Sequence, residues 1–509
     1  MRLIPATMAT QHPDNAGAPA WLREGGGFIN AWREVDECAK SFCELGCTEY
    51  MWDWEGKHVD EAVVERLLEG NFQFFRQKQL GRDVFLTYRL PNVWVEKGYR
   101  IARAFVNIIS SNDIACELGL HAPPVFETIL PLTTQGRQTF LIKKNYAEVA
   151  KALRLSGLQK TFDLAREAGP EQIDVIPLIE HPDFLLQTGA ILEEYSMLVS
   201  EDGGAGELAY IRPFIARSDP ALNNGIVAAT LSAKASLSEC EKFSETSGIP
   251  VHPMIGVGSL HFRGGLSPEK LGSFTDEYAG VRTVTIQSAF RYDYGEREVK
   301  AAIGKLNSQL SGRKAGVLDA GEMEKLARLV QLFSTHYQKT VEAVADDINA
   351  IAKFIPARRE RKQHVGLFGY SRKVSGKALP RAIGFTAAMY SFGVPPEFIG
   401  LGAALREAEG KGLTDALEEN YRGLRSMIEE AGRFINHENL TILANRAGWK
   451  FVENDVKLAE EWLGKPLGPQ TAEELAHRNA TSNILMLYSS GKDCTADITR
   501  AAQIRKSMG

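Results

Sequence analysis

Cysteine is scarce, with six in 509 residues, at positions 38, 43, 47, 116, 240 and 494. So few thiols in so long a chain exclude a disulfide-stapled scaffold and fit a reducing compartment. Cys38, Cys43 and Cys47 lie close together, but not at the C-x₂-C spacing of a zinc or redox motif. They read as small, partly buried residues around a helix over 35–45. Positive charge is not in excess: 59 basic against 64 acidic residues leave a net charge of −5. That balance argues against a nucleic-acid or membrane-surface binder. No run of 18 apolar residues free of charge occurs, so no membrane span is predicted. The opening MRLIPATMATQHPDN has no apolar segment of the kind a signal peptide carries, and a cytoplasmic protein is expected. Repeats of fixed period and low-complexity tracts are also missing.

What is present is the balance of a globular protein, with 44% hydrophobic and 24% charged residues. The length allows several ordinary domains, or one barrel with large helical additions. Apolar runs at 47–52, 84–90, 125–130, 173–178, 211–216, 251–256 and 283–287 read as strands. Helical patterns such as 59–79 and 225–247 separate them. This alternation predicts parallel strands joined by helices, and the count suits a β/α (TIM-like) barrel better than an open sheet. After about residue 300 the pattern becomes helical, with long helices expected over 323–355, 396–410, 414–431 and 472–489. The expected organisation is a barrel core over 1–300 carrying the active site, with a mainly helical region over 301–509 packed on it and forming subunit contacts. A basic, glycine-containing segment at 357–377 interrupts those helices. It reads either as a solvated loop or as an anion-facing one.

In a β/α barrel the chemistry sits at the C-terminal ends of the strands. Polar residues gather just there. Asp53 and Glu55 follow the first predicted strand, and Arg89 ends the second. Glu180 follows DVIPLI, and Arg217, Ser218 and Asp219 follow the strand after it. Gly256, Gly258 and Arg263 come next, then Gln287, Ser288 and Arg291. Glu180 and Asp219 are carboxylates at the ends of adjacent strands, the donors a hard Mg²⁺ or Mn²⁺ ion takes alongside water and substrate oxygens. Arg89, Arg217, Arg263 and Arg291 are guanidinium groups suited to phosphate or carboxylate. Taken singly, each has a plainer reading: Asp219, before Pro220, is also a candidate helix cap. Together they point to a small, anionic, phosphorylated substrate.

Two further features stand out. The glycine-rich stretch GVGSLHFRGG, 256–265, matches neither the P-loop nor G-x-G-x-x-G. It is either a tight turn or a loop bringing Arg263, Gly264 and Gly265 onto an anion. His12 lies in ATQHPDN; histidine as a residue type titrates near neutrality and so is able to move protons, although a lone histidine is more often structural. Asp14 is positioned to cap a following turn.

The motifs in their order resemble the phosphoenolpyruvate carboxylases, most closely the short archaeal-type branch. MATQHPDN is similar to the branch's N-terminal signature and to the Thr-Ala-His-Pro-Thr segment around the catalytic histidine of the large enzymes. MWDWEGKHVD resembles their Gly-Asp-Arg-Asp-Gly-Asn region. DVIPLIE and ARSDPALNNG resemble the segments carrying the metal-binding glutamate and aspartate. GVGSLHFRGG resembles the mobile Gly-Arg-Gly-Gly loop, and TIQSAFRYDYG the Gln-Gly-Glu-Met-Ile-Arg-Phe-Lys-Tyr-Gly segment. LPRAIGF and VPPEFIGLG resemble a C-terminal pair of motifs.

The resemblance implies a lyase that makes oxaloacetate and inorganic phosphate from phosphoenolpyruvate and bicarbonate, through carboxyphosphate and a metal-stabilised pyruvate enolate, in anaplerotic carbon fixation. It implies His12 as the catalytic histidine, Glu180 and Asp219 as ligands of Mg²⁺ or Mn²⁺, and Arg89 and Arg291 on the substrate phosphate and carboxyphosphate. Arg263 steadies the reacting anions from the loop, which closes against water, and Arg217, Gly264, Gly265 and Gln287 join in binding substrate. A homotetramer is also implied. Three departures from the large enzymes accompany it. The first half of the glycine loop has no arginine, with Arg217 a candidate replacement. The lysine after the metal aspartate aligns near Leu222. The tail reads Arg505-Lys506-Ser507-Met508-Gly509 rather than Arg-Asn-Thr-Gly, which puts feedback inhibition by aspartate in doubt. The role of Arg282 is open. Two rivals stand beside this reading: another enolate-forming barrel enzyme that needs no bicarbonate, and a non-catalytic paralogue that binds phosphoenolpyruvate.

Overall fold

A computed structural model describes residues 3–25, 28–55, 59–96, 99–155, 170–203, 207–359, 373–374 and 376–509. Most of the basic segment 357–377, namely 360–372 and 375, lies outside the described residues. Eight parallel strands close into a barrel: β1 Thr7–Ala9, β2 Glu49–Asp53, β3 Phe85–Arg89, β4 Glu127–Leu130, β5 Asp174–Ile179, β6 Phe214–Ala216, β7 Met254–Gly256 and β8 Thr283–Ile286. The seven apolar runs are β2 to β8. The strand the sequence does not announce is β1, three residues between Pro5 and Gln11, too short for period-two alternation to register. It closes the barrel by pairing with both β2 and β8, with Met8 opposite Glu49 and Thr285.

Alternation along each strand sorts the side chains. Met8, Met51, Ile129, Ile176, Leu178, Phe214, Ala216 and Met254 fill the barrel interior. Tyr50, Trp52, Leu86 and Tyr88 point outward into the layer shared with the surrounding helices. Both faces are buried, which is why the strands read as continuous apolar runs.

The N-terminal pole is closed by charge. Arg212 Nη1 and Nη2 donate to the two carboxylate oxygens of Glu49 at 3.0 and 2.7 Å, and Nη1 also reaches Glu127. Thr283 Oγ1 accepts from Nη2 at 3.0 Å, and Tyr210 donates to Glu127 at 2.8 Å. Burial opposes the cation, but the two carboxylates outweigh it and hold Arg212 charged.

Beyond β8 the chain is helical. The long helix runs Ala320–Ile351, opened by an Asp319/Glu322 capping box. Its buried stripe, Leu326, Leu329, Val330, Phe333, Tyr337, Val341, Val344 and Ile348, follows the spacing of one helix face. Tyr337 Oη donates to the Leu222 carbonyl at 2.8 Å, pinning this helix to the barrel beside β6. The helix expected over 472–489 is Ala472–Ser489. Three others are broken. Residues 59–79 form Val63–Gly70 and Phe72–Gln77, parted at Asn71, and 414–431 form Thr414–Asn420 and Leu424–Gly432. Residues 396–410 divide into a 3₁₀ turn, Pro396–Phe398, and a helix, Leu401–Gly410. The break is at Gly400, whose φ of 71° suits glycine, and where a Cβ would lie 2.4 Å from the Tyr337 nitrogen.

That 3₁₀ turn reaches back to the barrel. Glu397, buried, accepts from the Phe262 backbone N–H at 2.9 Å and from Tyr390 Oη at 3.1 Å. Phe262 sits in the glycine-rich loop after β7, and its ring packs on Phe385 and Tyr337. The helical region therefore holds the loop that carries Arg263. Burial pushes the Glu397 carboxyl up to about 7, against the pull of its hydrogen-bond donors.

Two outcomes are expected. Arg212→Leu leaves Glu49 and Glu127 buried without their counter-charge and should lower stability by about 3–5 kcal/mol in urea unfolding; a change under about 1 kcal/mol would show the triad idle. For Glu397 the folded pKa of about 7 lies above the ordinary 4.5, so the native state binds the extra proton between those values. The group's contribution to stability is full below pH 4.5 and is lost as pH rises through about 7. The melting temperature of the wild type should therefore fall relative to Glu397→Gln as pH is raised across that window. A constant difference would reject the shift.

Candidate functional site

The C-terminal ends of the strands surround a cavity of ≈ 390 Å³. Its walls include His12, Arg89, Glu180, Arg217, Asp219, Arg263 and Gln287, together with Glu55, Arg358, Arg359 and Arg381. A cavity of this size is suited to a small metabolite.

Parallel pairing of β2 with β3 sets Asp53 opposite Arg89. The two make a paired hydrogen bond, Nε to Oδ1 at 3.0 Å and Nη2 to Oδ2 at 2.7 Å, and Glu55 lies 3.2 Å from Nη2. Burial works against the Arg89 cation, but Asp53 and Glu55 hold it charged. Among the described residues Nη1 has no hydrogen-bond partner. Burial pushes the Glu55 carboxyl up to about 7 despite Arg89, with Asp53 adding to the rise.

Glu180 follows β5. Its Oε2 accepts from the Leu132 N–H at 2.7 Å, and Leu132 takes a left-handed φ of 54°, strained for a leucine, to present that donor. Burial, and then the nearby Asp219 and Glu55 charges, push the Glu180 carboxyl up to about 8. Asp219 stands in the first turn of the short helix Ser218–Asn224; the cap position belongs to Arg217, so Asp219 is not the helix cap. Its charge acts on both Glu180 and Arg263, and all three line the cavity. Among the described residues no group of three or more His, Cys, Asp or Glu stands ready to hold a metal. Two carboxylates crowding each other in a cavity nevertheless fit a hard divalent cation, which takes one or two carboxylates and fills its other positions with water and substrate oxygens.

The glycine-rich loop is folded into the cavity wall rather than free over the mouth. His261–Arg263 is a 3₁₀ turn, and Arg263 is 1% exposed. Its Nε donates to Ser218 Oγ at 3.1 Å, Nη1 to the Gly509 carbonyl at 2.9 Å and Nη2 to Gln287 Oε1 at 2.8 Å. Asp14 lies 3.7 Å away. Burial lowers the Arg263 pKa, opposed by Asp14 and Asp219. Gly264 and Gly265, expected on the substrate, are not in the cavity wall. Both take positive φ, and a Cβ on Gly264 would lie 2.4 Å from Val257, so they shape the turn that presents Arg263.

Arg217 lines the cavity: its Nε donates to Tyr278 Oη at 2.8 Å and Nη2 to Thr230 Oγ1 at 2.9 Å, while Nη1 is buried with no hydrogen-bond partner among the described residues. Arg291 does not line the cavity: it is buried, donating to Ser41 Oγ at 2.9 Å, Thr10 O at 2.6 Å and Glu37 Oε1 at 3.0 Å. Arg282 bonds the Leu310 and Ser311 carbonyls near the start of β8, at the opposite pole. His12 lines the cavity with Nδ1 2.9 Å from Thr10 Oγ1. Asp14 caps in space rather than in sequence, accepting from Ala289 N at 2.7 Å at the helix after β8. Glu397, Arg358, Arg359 and Arg381 were not singled out as site residues. Arg358 and Arg359 stand in the basic segment and Arg381 in LPRAIGF, the one signal available beforehand.

A family model described as phosphoenolpyruvate carboxylase matches residues 4–509. The phosphoenolpyruvate carboxylase of Leuconostoc mesenteroides is 38% identical over 100% of this chain and 99% of its own. That of Metallosphaera sedula is 40% identical over 100% of both chains. The enzyme of the same name from Methanothermobacter thermautotrophicus is 37% identical over 99% of this chain and 100% of its own. A solved structure, the Haloferax volcanii malate synthase magnesium/glyoxylate complex, aligns with 69% of this chain and 94% of that chain at 10% identity and a TM-score of 0.35, too loosely to carry a conclusion. With likeness running along the whole chain and along the whole of each relative, the protein belongs to the archaeal-type phosphoenolpyruvate carboxylases.

Proposed function

We propose that this chain carboxylates phosphoenolpyruvate with bicarbonate through carboxyphosphate and the enolate of pyruvate, and that His12, Arg89, Arg263, Glu180 and Asp219 carry the reaction. The observation behind this reading is that one cavity brings together a proton carrier, two cations and a pair of crowded carboxylates. Arg89 offers Nη1 to a phosphate or carboxylate oxygen while Asp53 fixes its plane. Arg263 is fixed by hydrogen bonds to Ser218, Gln287 and the Gly509 carbonyl, with Asp14 3.7 Å away, and in the cavity wall its charge is aimed at an anion. Gln287 shares the substrate wall.

In the first step a bicarbonate oxygen attacks phosphorus and the bond from phosphorus to the enol oxygen breaks. The products are carboxyphosphate and the enolate, with the arginines spreading the phosphoryl charge. His12 then takes the carboxyphosphate proton, and cleavage of the bond between carbon and the bridging oxygen releases CO₂ and phosphate in place. The enolate carbon attacks CO₂ and forms oxaloacetate. Glu180 and Asp219 would hold a divalent cation, Mg²⁺ or Mn²⁺, which when bound would supply Lewis acidity for the enolate. Leu178, Phe214, Ala216 and Met508 give the cavity apolar walls that keep water from protonating the enolate to pyruvate.

At the level of the whole molecule, we read residues 1–300 as the catalytic barrel and 301–509 as the helical region that braces it and forms subunit contacts in a homotetramer. Exposed Ile442, Phe451, Leu475 and Met486 offer apolar surface for such contacts. No described helix is long and apolar enough to cross a membrane, and work in the cytoplasm as an anaplerotic source of oxaloacetate fits the scarcity of cysteine.

The test couples oxaloacetate formation to malate dehydrogenase and NADH. NADH loss should require both bicarbonate and Mg²⁺. His12→Asn should lower it by about 10²–10⁴-fold while keeping bicarbonate-dependent phosphate release; unimpaired oxaloacetate formation by this variant would remove His12 from the mechanism. The metal site is read without turnover: Mg²⁺ should raise the melting temperature of the wild type, and Asp219→Asn should abolish most of that rise. An undiminished rise would place the ion elsewhere.

A further inference from the structure

Arg291 is the candidate site residue that the cavity does not contain, and its surroundings show what it does instead. Its guanidinium lies in a buried block. Glu37 Oε1 accepts from Arg291 Nη2 at 3.0 Å, from Tyr292 Oη at 2.8 Å and from Arg359 Nη2 at 2.9 Å, while Glu37 Oε2 accepts from Tyr50 Oη at 3.0 Å. Arg359 also pairs with Glu34 at 3.1 Å. Burial works against the Glu37 charge, but Arg359 and Arg291 hold the carboxyl down at about 2. A block with this many charge-assisted hydrogen bonds favours one well-defined arrangement.

From this block one hydrogen bond leads toward the cavity, Arg291 Nη2 to the Thr10 carbonyl at 2.6 Å. Thr10 is fully buried just past β1, and its N–H continues the ladder to the Ile286 carbonyl at 3.3 Å. Both of its backbone polar groups are therefore committed. Its hydroxyl lies 2.9 Å from His12 Nδ1 and, among the described residues, has no other partner. Packing alone would be served as well by valine, so the hydroxyl has work to do only at the imidazole.

We propose that Thr10 is a positioning residue for His12 and that Arg291 acts through Thr10 rather than on the substrate. The proposal rests on the reading of His12 as the group that takes the carboxyphosphate proton. For that role one ring nitrogen must carry a lone pair into the cavity. A proton on Nδ1, donated to Thr10 Oγ1, leaves the lone pair on Nε2 and fixes the ring plane. Without the hydroxyl Nδ1 loses this partner, and the tautomer with the proton on Nε2, which cannot act as a base there, is no longer disfavoured by it. Arg291 fixes the Thr10 backbone and thereby the position of the hydroxyl.

The experiment uses the full chain with Mg²⁺ and compares Thr10→Val with Thr10→Ser. In Thr10→Val, kcat for oxaloacetate should fall about tenfold or more with KM for phosphoenolpyruvate within about twofold. A larger share of bicarbonate-dependent phosphate release should then yield no oxaloacetate. Thr10→Ser, which keeps the hydroxyl, should restore kcat. In the His12→Asn background, Thr10→Val should change the residual phosphate release no further, because its effect passes through the imidazole. If Thr10→Val carboxylates normally while His12→Asn does not, Thr10 is no positioning residue and the reading of His12 stands. If His12→Asn carboxylates normally, both fall. A loss that serine does not restore, or that persists in the His12→Asn background, makes Thr10 merely structural.

Discussion

Charge in this molecule is buried, and buried charge has to be compensated. The two poles of the barrel meet that constraint in opposite ways. At the N-terminal pole Arg212, Glu49 and Glu127 neutralise one another in charge. At the C-terminal pole Arg89 is balanced by Asp53 and Glu55, and Arg263 faces the charges of Asp14 and Asp219, but Glu180 and Asp219 crowd each other in the same cavity. The first arrangement stabilises a fold. The second leaves two carboxylates crowded together in a cavity that arginines also line.

The same constraint accounts for the division of labour between strand ends and helices. Parallel register places Asp53 against Arg89 without help from any loop. Arg263 has no strand to fix it: its position depends on a turn built on Gly264, on Ser218 and Gln287 from neighbouring strand ends, and on Glu397 from far along the chain. The large helical region is thus part of the active centre's support, and the loop that the resemblance casts as a moving seal is packed into the wall.

Much of this was legible in the sequence, for identifiable reasons. Strands β2 to β8 are apolar on both faces and announced themselves; β1 is three residues long and did not. Residues that follow strands directly, Arg89, Glu180 and Asp219, were found because a parallel barrel delivers every strand end to one face. Gly264 and Gly265 were read as binding groups because glycine-rich loops often bind anions, whereas here their backbone freedom serves the turn. Glu397 and Thr10 gave no signal, since each acts through one long-range hydrogen bond that no local pattern encodes.

Arg291 shows where such reading stops. Gln287 and Arg291 belong to one motif and lie four residues apart, at the start and near the end of the helix Ser288–Tyr292. Sequence treats them as neighbours with one job. Gln287, at the cap, faces the cavity and holds Arg263, whereas Arg291 reaches beneath β1 into the Glu37 block. The deciding factor is the demand for compensation: Glu37 is buried, and a carboxylate there must draw in cations. Arg291 and Arg359 answer that demand together. On the reading of His12 as the proton acceptor, a charge drawn in for this reason would also serve catalysis, since Arg291 bonds the Thr10 carbonyl and the Thr10 hydroxyl lies 2.9 Å from the His12 ring.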